Sequence, residues 1–323
     1  MDVVALLAAG LFIGCLLAVQ ASVNLQLSNA VKTPYGASTL QLTVATVLLA
    51  VLAVAVGTIG AVQLIGDVEW WHLLGGLASP LYITSGILLF PRLGALTAVG
   101  LFVTGQMFAS LALDLFGLIG VARQPLTIGM VLGALAVLAG ITVIIRGQQA
   151  AAAKPKPAPQ SVGAMHKPAV PVGHVGWILL GLIAGAVLPI QGAVNAKLRQ
   201  DLQAPITVAM ISFIVATLTI VVVLALMRAS RRTPAPQLRP LKRMPWWGWL
   251  GGACAATYVT GTFLLIPEIG AATTVALAVT GQQAASALID GFGWFRMPKR
   301  TLTPPRLIGL SLLIVGSILV QLA

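Results

Sequence analysis

The chain has 323 residues, of which 58% are hydrophobic and only 8% charged, with a formal net charge of +12 at pH 7. Soluble domains carry about 25% charged residues, so a water-soluble globule is excluded. The bases sit at the ends of apolar runs rather than along one face, which fits topology signals and contacts with anionic headgroups, not nucleic-acid binding.

The first apolar run, from Val3 to about Gln26, is preceded by Asp2 and no basic n-region. It is therefore read as a retained span, not a cleaved signal peptide. It carries Gln20 and Asn24 at i and i+4, stacked on one helical face. Amides donate and accept at once, so the pair suits substrate contact or helix–helix bonding. Further stretches without any Asp, Glu, Lys or Arg cover 33–66, 73–91, 93–113 and 124–145. Each approaches or exceeds the roughly 20 residues needed to cross a bilayer core.

The third span is entered through Trp70-Trp71, an interfacial anchor, and Gly75-Gly76, which permit close helix approach. Tyr82 lies mid-span, where its hydroxyl serves a central cavity or its ring packs in the core. The fourth span carries Thr104, Gly105, Gln106, Ser110, Asp114 and Gly117. Its Gln, Ser and Asp fall at i, i+4 and i+8, a stripe drifting about 40° per step. A carboxylate at this depth loses hydration, which suits it to proton exchange. The alternative is that Asp114 reaches the interface or accepts hydrogen bonds from a neighbouring loop.

Residues 147–173 are rich in Pro, Ala and Lys and are expected to form a flexible tether. Charge-free stretches then resume at 175–196, 202–227, 244–267, 269–289 and 307–323, giving ten expected spans in all. Gln191 and Asn195 repeat the opening amide pair, with Pro189 expected to kink the helix just before them. Trp246-Trp247 and Gly251-Gly252 repeat the third-span entry, and Tyr258 repeats Tyr82. Thr280, Gly281, Gln282, Ser286, Asp290 and Gly293 repeat the fourth-span motif.

The repetition is formal. Residues 70–140 align with 246–316 at a constant offset of 176, with 28 of 71 positions identical; apolar composition alone gives roughly a tenth. The first copy is approached through Asp67 and Glu69, the second through Arg228, Arg231, Arg232, Arg239, Lys242 and Arg243. Lys and Arg stay on the cytoplasmic side, so the two copies are inserted in opposite senses. On alternate sides of the ten spans lie 16 bases and 3 bases, which puts the linker in the cytoplasm and both termini outside. The expected fold is an all-α integral membrane protein. Residues 1–146 form one five-helix repeat, 147–173 a cytoplasmic linker and 174–323 the second, inverted repeat.

Cys15 and Cys254 lie in separate apolar runs, and His72, His166 and His174 lack ligand spacing, so neither a disulfide framework nor a metal site is expected. No P-loop or nucleophile–base–acid set occurs, so no enzyme activity, cofactor or catalytic residue is expected.

The opening Gln-x-x-x-Asn, the Trp-Trp/Gly-Gly entry and the Thr-Gly-Gln…Ser…Asp-x-x-Gly motif lead on to Pro125-Leu126-Thr127 and Leu302-Thr303. Together they resemble the YdcZ-type inner-membrane proteins of the drug/metabolite transporter superfamily. Members are commonly single five-helix proteins, and this chain resembles a fused pair. The resemblance implies a ten-helix inverted-repeat exporter in a bacterial inner membrane. Small multidrug-resistance relatives carry a proton-binding Glu in helix 1, where this chain has Gln20 and Asn24, so Asp114 and Asp290 are the expected proton-coupling residues. Expected substrate contacts are Gln20, Asn24, Tyr82, Gln106, Ser110, Gln191, Asn195, Tyr258, Gln282 and Ser286.

The resulting expectation is a secondary transporter exporting a small metabolite or drug-like solute by alternating access. The alternatives are a lipid-headgroup flippase and a non-transporting scaffold. Expected partners are the solute and membrane lipids, with a homodimer left open.

Overall fold

The computed structural model describes residues 3–121, 123–153, 173–269 and 271–322. The expected linker therefore lies mostly outside the described residues. Ten α-helices are present among those described: α1 (Val3–Val31), α2 (Pro34–Ala55), α3 (Ala78–Leu93), α4 (Ala95–Phe116), α5 (Ile128–Ala153), α6 (Gly173–Leu202), α7 (Pro205–Ala229), α8 (Leu250–Ile269), α9 (Ala271–Phe292) and α10 (Pro304–Leu322). Seven spans among the described residues are long and apolar enough to cross a membrane, with a shorter apolar helix at Pro304–Val320. Helix α5 runs past Gly147 to Ala153, further than the expected repeat boundary. Its Gln148-Gln149-Ala150-Ala151 stretch is made of strong helix formers, which extend the helix into the segment read as tether.

Local sequence sets the boundaries. Pro34 and Pro205 open α2 and α7 at their first positions, where the missing N–H costs nothing. The tight turns before them use Lys32 and Gln203, both left-handed at φ 62° and 50°. Gly117 and Gly293, the last residues of the fourth-span motif, end α4 and α9 in the left-handed conformation at φ 64° and 71°. That geometry favours glycine and terminates a helix.

Equivalent helices run antiparallel. Thr33 bonds Thr233, Thr46 bonds Thr217, and Thr207 donates to the Thr58 carbonyl, so α2 and α7 pass in opposite directions. Along α5 and α10, Gly133 lies against Gly316, Gly140 against Gly309, and Gly147 against Pro305. A Cβ at any of the four seam glycines would collide with the facing backbone, so small residues are what let these helices close up. The cross-packing is reciprocal: α1 lies on α8 and α9, and α6 on α3 and α4. An inverted pseudo-two-fold arrangement accounts for every one of these pairs.

The outer surface is apolar. Val51 and Val54 of α2, Leu132 and Leu135 of α5, and Val222 and Leu226 of α7 are all exposed. In water such a surface would associate; facing acyl chains it is simply solvated. The two ends differ in charge. Gln237 N–H binds the Val31 carbonyl and Arg300 reaches the Pro91 carbonyl, joining the base-rich loops at one end. At the other end, His72 Nδ1 meets Asp201 Oδ2 at 2.5 Å and Lys197 lies against Gly120.

Candidate functional site

Helices α1 and α6 carry the two amide pairs, and only part of each pair reaches open space. Asn195 Oδ1 fills the position a Cβ would take on Gly75, and Asn24 Oδ1 does the same over Gly251. Both asparagines are therefore buried packing elements that key α6 and α1 onto the entries to α3 and α8. Asn195 also donates to Ser212 Oγ at 3.1 Å. The adjacent Gly76 and Gly252 are required too, because a Cβ on either would meet the backbone of α7 or α2.

The glutamines differ. Gln191 Nε2 donates to Ser79 Oγ at 2.8 Å and to Ser212 Oγ at 3.4 Å. Gln20 has Ala255 where its counterpart has Ser79, and Gln41 where its counterpart has Ser212. Its Oε1 is buried and has no hydrogen-bond partner among the described residues.

Between these helices lies a cavity of about 110 Å³. Four equivalent pairs form its wall: Leu17 and Leu188, Gln20 and Gln191, Tyr82 and Tyr258, Ile83 and Val259. Apart from Gly192 beside Gln191, the wall continues beyond them on one side only, through Ser79, Asn195, Phe213 and Thr262. These four lie toward the end where α6 turns into α7, away from the base-rich loops. The cavity is thus centred on the pseudo-axis but extends toward the base-poor end.

The phenols break the symmetry as well. Gln282 Nε2 donates to Tyr82 Oη at 2.8 Å. Gln106, its counterpart, is buried with Nε2 unpartnered among the described residues, and the Tyr258 side chain stays partly open to the cavity. Tyr82 is further fixed by Phe102, whose ring centroid is 4.9 Å away.

The aspartates lie outside the cavity. Asp290 is 1% exposed, accepts the backbone N–H groups of Ala95 and Leu96 at 2.9 and 3.1 Å, and pairs with Arg306 Nη2 at 2.5 Å. It therefore satisfies the first orphan donors of α4, where the helix dipole favours a negative charge. Arg306 in turn donates to the carbonyls of Arg300 and Thr301. Asp114 is half-buried with no side-chain partner among the described residues, and Met130 stands where Arg306 stands in the other half. The loop fold is common to both, since the N–H groups of Gln124 and Arg300 donate to the carbonyls of Asp114 and Asp290 at 2.8 and 2.7 Å.

Of the expected contacts, Gln20, Gln191, Asn195, Tyr82 and Tyr258 share one cavity. Gln282 stands one step behind it through Tyr82. Asn24, Gln106, Ser110 and Ser286 are not on its wall, and the Ser286 hydroxyl is spent on the Gln283 carbonyl at 2.8 Å. Ser79, Phe213 and Thr262 were not anticipated. A serine or threonine in a span most often bonds its own helix backbone, and Phe213 has no sequence mark separating cavity from lipid. In the sequence Arg306 reads as a topology signal; its pairing with Asp290 depends on how the intervening loop folds back.

A family model described as "Putative inner membrane exporter, YdcZ" matches residues 5–143 and 176–319. The "Inner membrane protein YdcZ" of Escherichia coli (strain K12) is 30% identical over 90 residues, 28% of this chain. The chain spans 60% of the length of that relative. A protein of known crystal structure shares the fold, with a TM-score of 0.54 at 17% identity over 97% of this chain and 96% of its own. Since the family model covers both halves in turn, the chain belongs to the YdcZ family of inner-membrane proteins.

Proposed function

We propose that the chain is a secondary transporter, an exporter of a small solute, working by alternating access between its two inverted halves. The observation that carries this reading is the cavity itself. It is walled by four equivalent residue pairs and extends toward one end only, which is what one state of a two-state inverted-repeat carrier looks like. The other state follows from exchanging the halves. In it the wall extends past Ala255, Asn24, Leu42 and Gly86 toward the base-rich end, Gln106 reaches Tyr258, and Gln282 releases Tyr82.

The base-rich end is assigned to the cytoplasm, with the linker there and both termini outside. The described cavity then faces outward. No Lys or Arg among the described residues lines it, which disfavours passage of an anionic lipid headgroup. A proton-exchange role is assigned to Asp114 alone, because both carboxylate oxygens of Asp290 are committed to α4 and Arg306.

The test is solute flux in everted vesicles with and without a pH gradient. Wild type is expected to move solute, Asp114→Asn to lose the response to the gradient, and Gln191→Leu to lose flux in both conditions. Flux unchanged in Gln191→Leu overturns the transport site; an unchanged gradient response in Asp114→Asn overturns the proton role.

A further inference from the structure

We infer that the cavity selects a small, uncharged, mainly apolar solute that presents one hydrogen-bond donor to Gln20 Oε1 between the rings of Tyr82 and Tyr258. This names the substrate class of the transport site and rests on that reading.

The first observation is the absence of charge. Among the described residues, no Asp, Glu, Lys, Arg or His lines the cavity. A charged group brought there loses its hydration and meets no opposite charge, so anions and cations are both rejected. The second is a count of polar atoms. Gln191 is engaged by Ser79 and Ser212, and the Tyr82 hydroxyl by Gln282; Asn195 donates to Ser212, while its Oδ1, also without a hydrogen-bond partner among the described residues, is packed over Gly75. Gln20 is only 4% exposed and lines the cavity, and its Oε1 has no partner among the described residues. Buried acceptors are satisfied in folded proteins, so this atom calls for a donor from whatever occupies the cavity. Ala255 stands at the position equivalent to Ser79, which satisfies Gln191, so the second half offers Gln20 no such hydroxyl.

The third is size. About 110 Å³ is a little smaller than the roughly 150 Å³ apolar cavity known to take benzene. With Leu17, Leu188, Ile83 and two phenol rings around it, the space fits a single small ring or a short branched chain. A donor at one edge completes the match.

The test compares four probes of similar size by the thermal stabilisation they give the purified full chain: phenol, toluene, benzoate and benzylammonium. Phenol and toluene are expected to stabilise, with phenol binding roughly fivefold tighter, the value of one net hydrogen bond. Benzoate and benzylammonium are expected to give no shift. In Gln20→Leu and Gln20→Met, phenol is expected to fall to the level of toluene, whose retained shift shows that the cavity is intact. Stabilisation by either ion overturns the inference, as does a phenol preference that survives both substitutions or is absent from wild type, where water alone then serves Gln20. Selective binding without solute movement in the vesicle assay overturns transport and leaves this selectivity standing. Flux of a charged solute overturns the selectivity and leaves transport standing.

Discussion

The ends of α9 and α4 carry the same motif and do different work. At the end of α9, Asp290 holds the first turn of α4 and the guanidinium of Arg306 in one buried cluster. At the end of α4, Asp114 has the same loop bonded to its carbonyl, but the position equivalent to Arg306 holds Met130. The backbone design is shared and the electrostatics are not. Two halves that began alike have therefore divided their labour: at the base-rich end the motif aspartate is tied to an arginine, and at the opposite end, toward which the cavity extends, the motif aspartate is left without such a partner.

The largest expected effect breaks this comparison directly. Asp290→Asn strands a buried arginine and is expected to cost about 3–5 kcal/mol, read as the loss of melting temperature of the purified protein. Asp114→Asn is expected to cost less than about 1 kcal/mol in the same assay. Equal losses would mean the two aspartates are equivalent after all. A second substitution sharpens the contrast. Met130→Arg is expected to give Asp114 a partner, so that a double-mutant cycle between the two positions shows a coupling of about 0.5–3 kcal/mol.

The legibility of these features follows from their range. Inversion was readable because charge asymmetry at loops and a fixed offset of 176 residues survive any detail of packing. Gln20, Gln191, Tyr82 and Tyr258 were readable as polar atoms that hydrocarbon does not tolerate unpaired. The same logic could not tell Asn24, which packs over Gly251, from Gln20, which faces the cavity: a four-residue step keeps the face but changes the depth. Nor could it foresee Asp290 capping α4, since Ala95 and Leu96 offer only backbone N–H groups, which every residue type but proline has. His72 and Asp201 are separated by 129 positions and became a pair only through the docking of α6.

The phenols supply the next effect in size. Tyr82→Phe removes the bond from Gln282 that the present conformation makes, worth about 1 kcal/mol, and is expected to shift the population toward the state open at the base-rich end. Tyr258→Phe removes the bond from Gln106 proposed for the exchanged state and is expected to shift the population the other way, by less, because it also removes the present contact of Tyr258 with Thr262. Thiol labelling of cysteines placed at Thr262 and at Gly86 measures both; shifts of the same sign in both variants count against exchange of the halves.

The smallest effect concerns Arg92, whose guanidinium lies 4.2 Å from the Trp177 ring centroid. The equivalent positions in the opposite pairing hold Glu268 and Leu6, which have no such attraction. Arg92→Gln is expected to cost about 0.5–1 kcal/mol in thermal unfolding, and Glu268→Gln close to nothing.

Thr46 and Thr217 occupy equivalent positions and bond each other at 2.9 Å. A residue that meets its own counterpart has to be self-complementary, as at any isologous contact. A hydroxyl, donor and acceptor together, satisfies that condition, while a lysine or aspartate would face its own sign. Joining the halves in one chain lifts the restriction, because each position is now encoded separately. A matched Thr46→Asn and Thr217→Asp pair is open to this protein, whereas an assembly of two identical five-helix chains could never hold one.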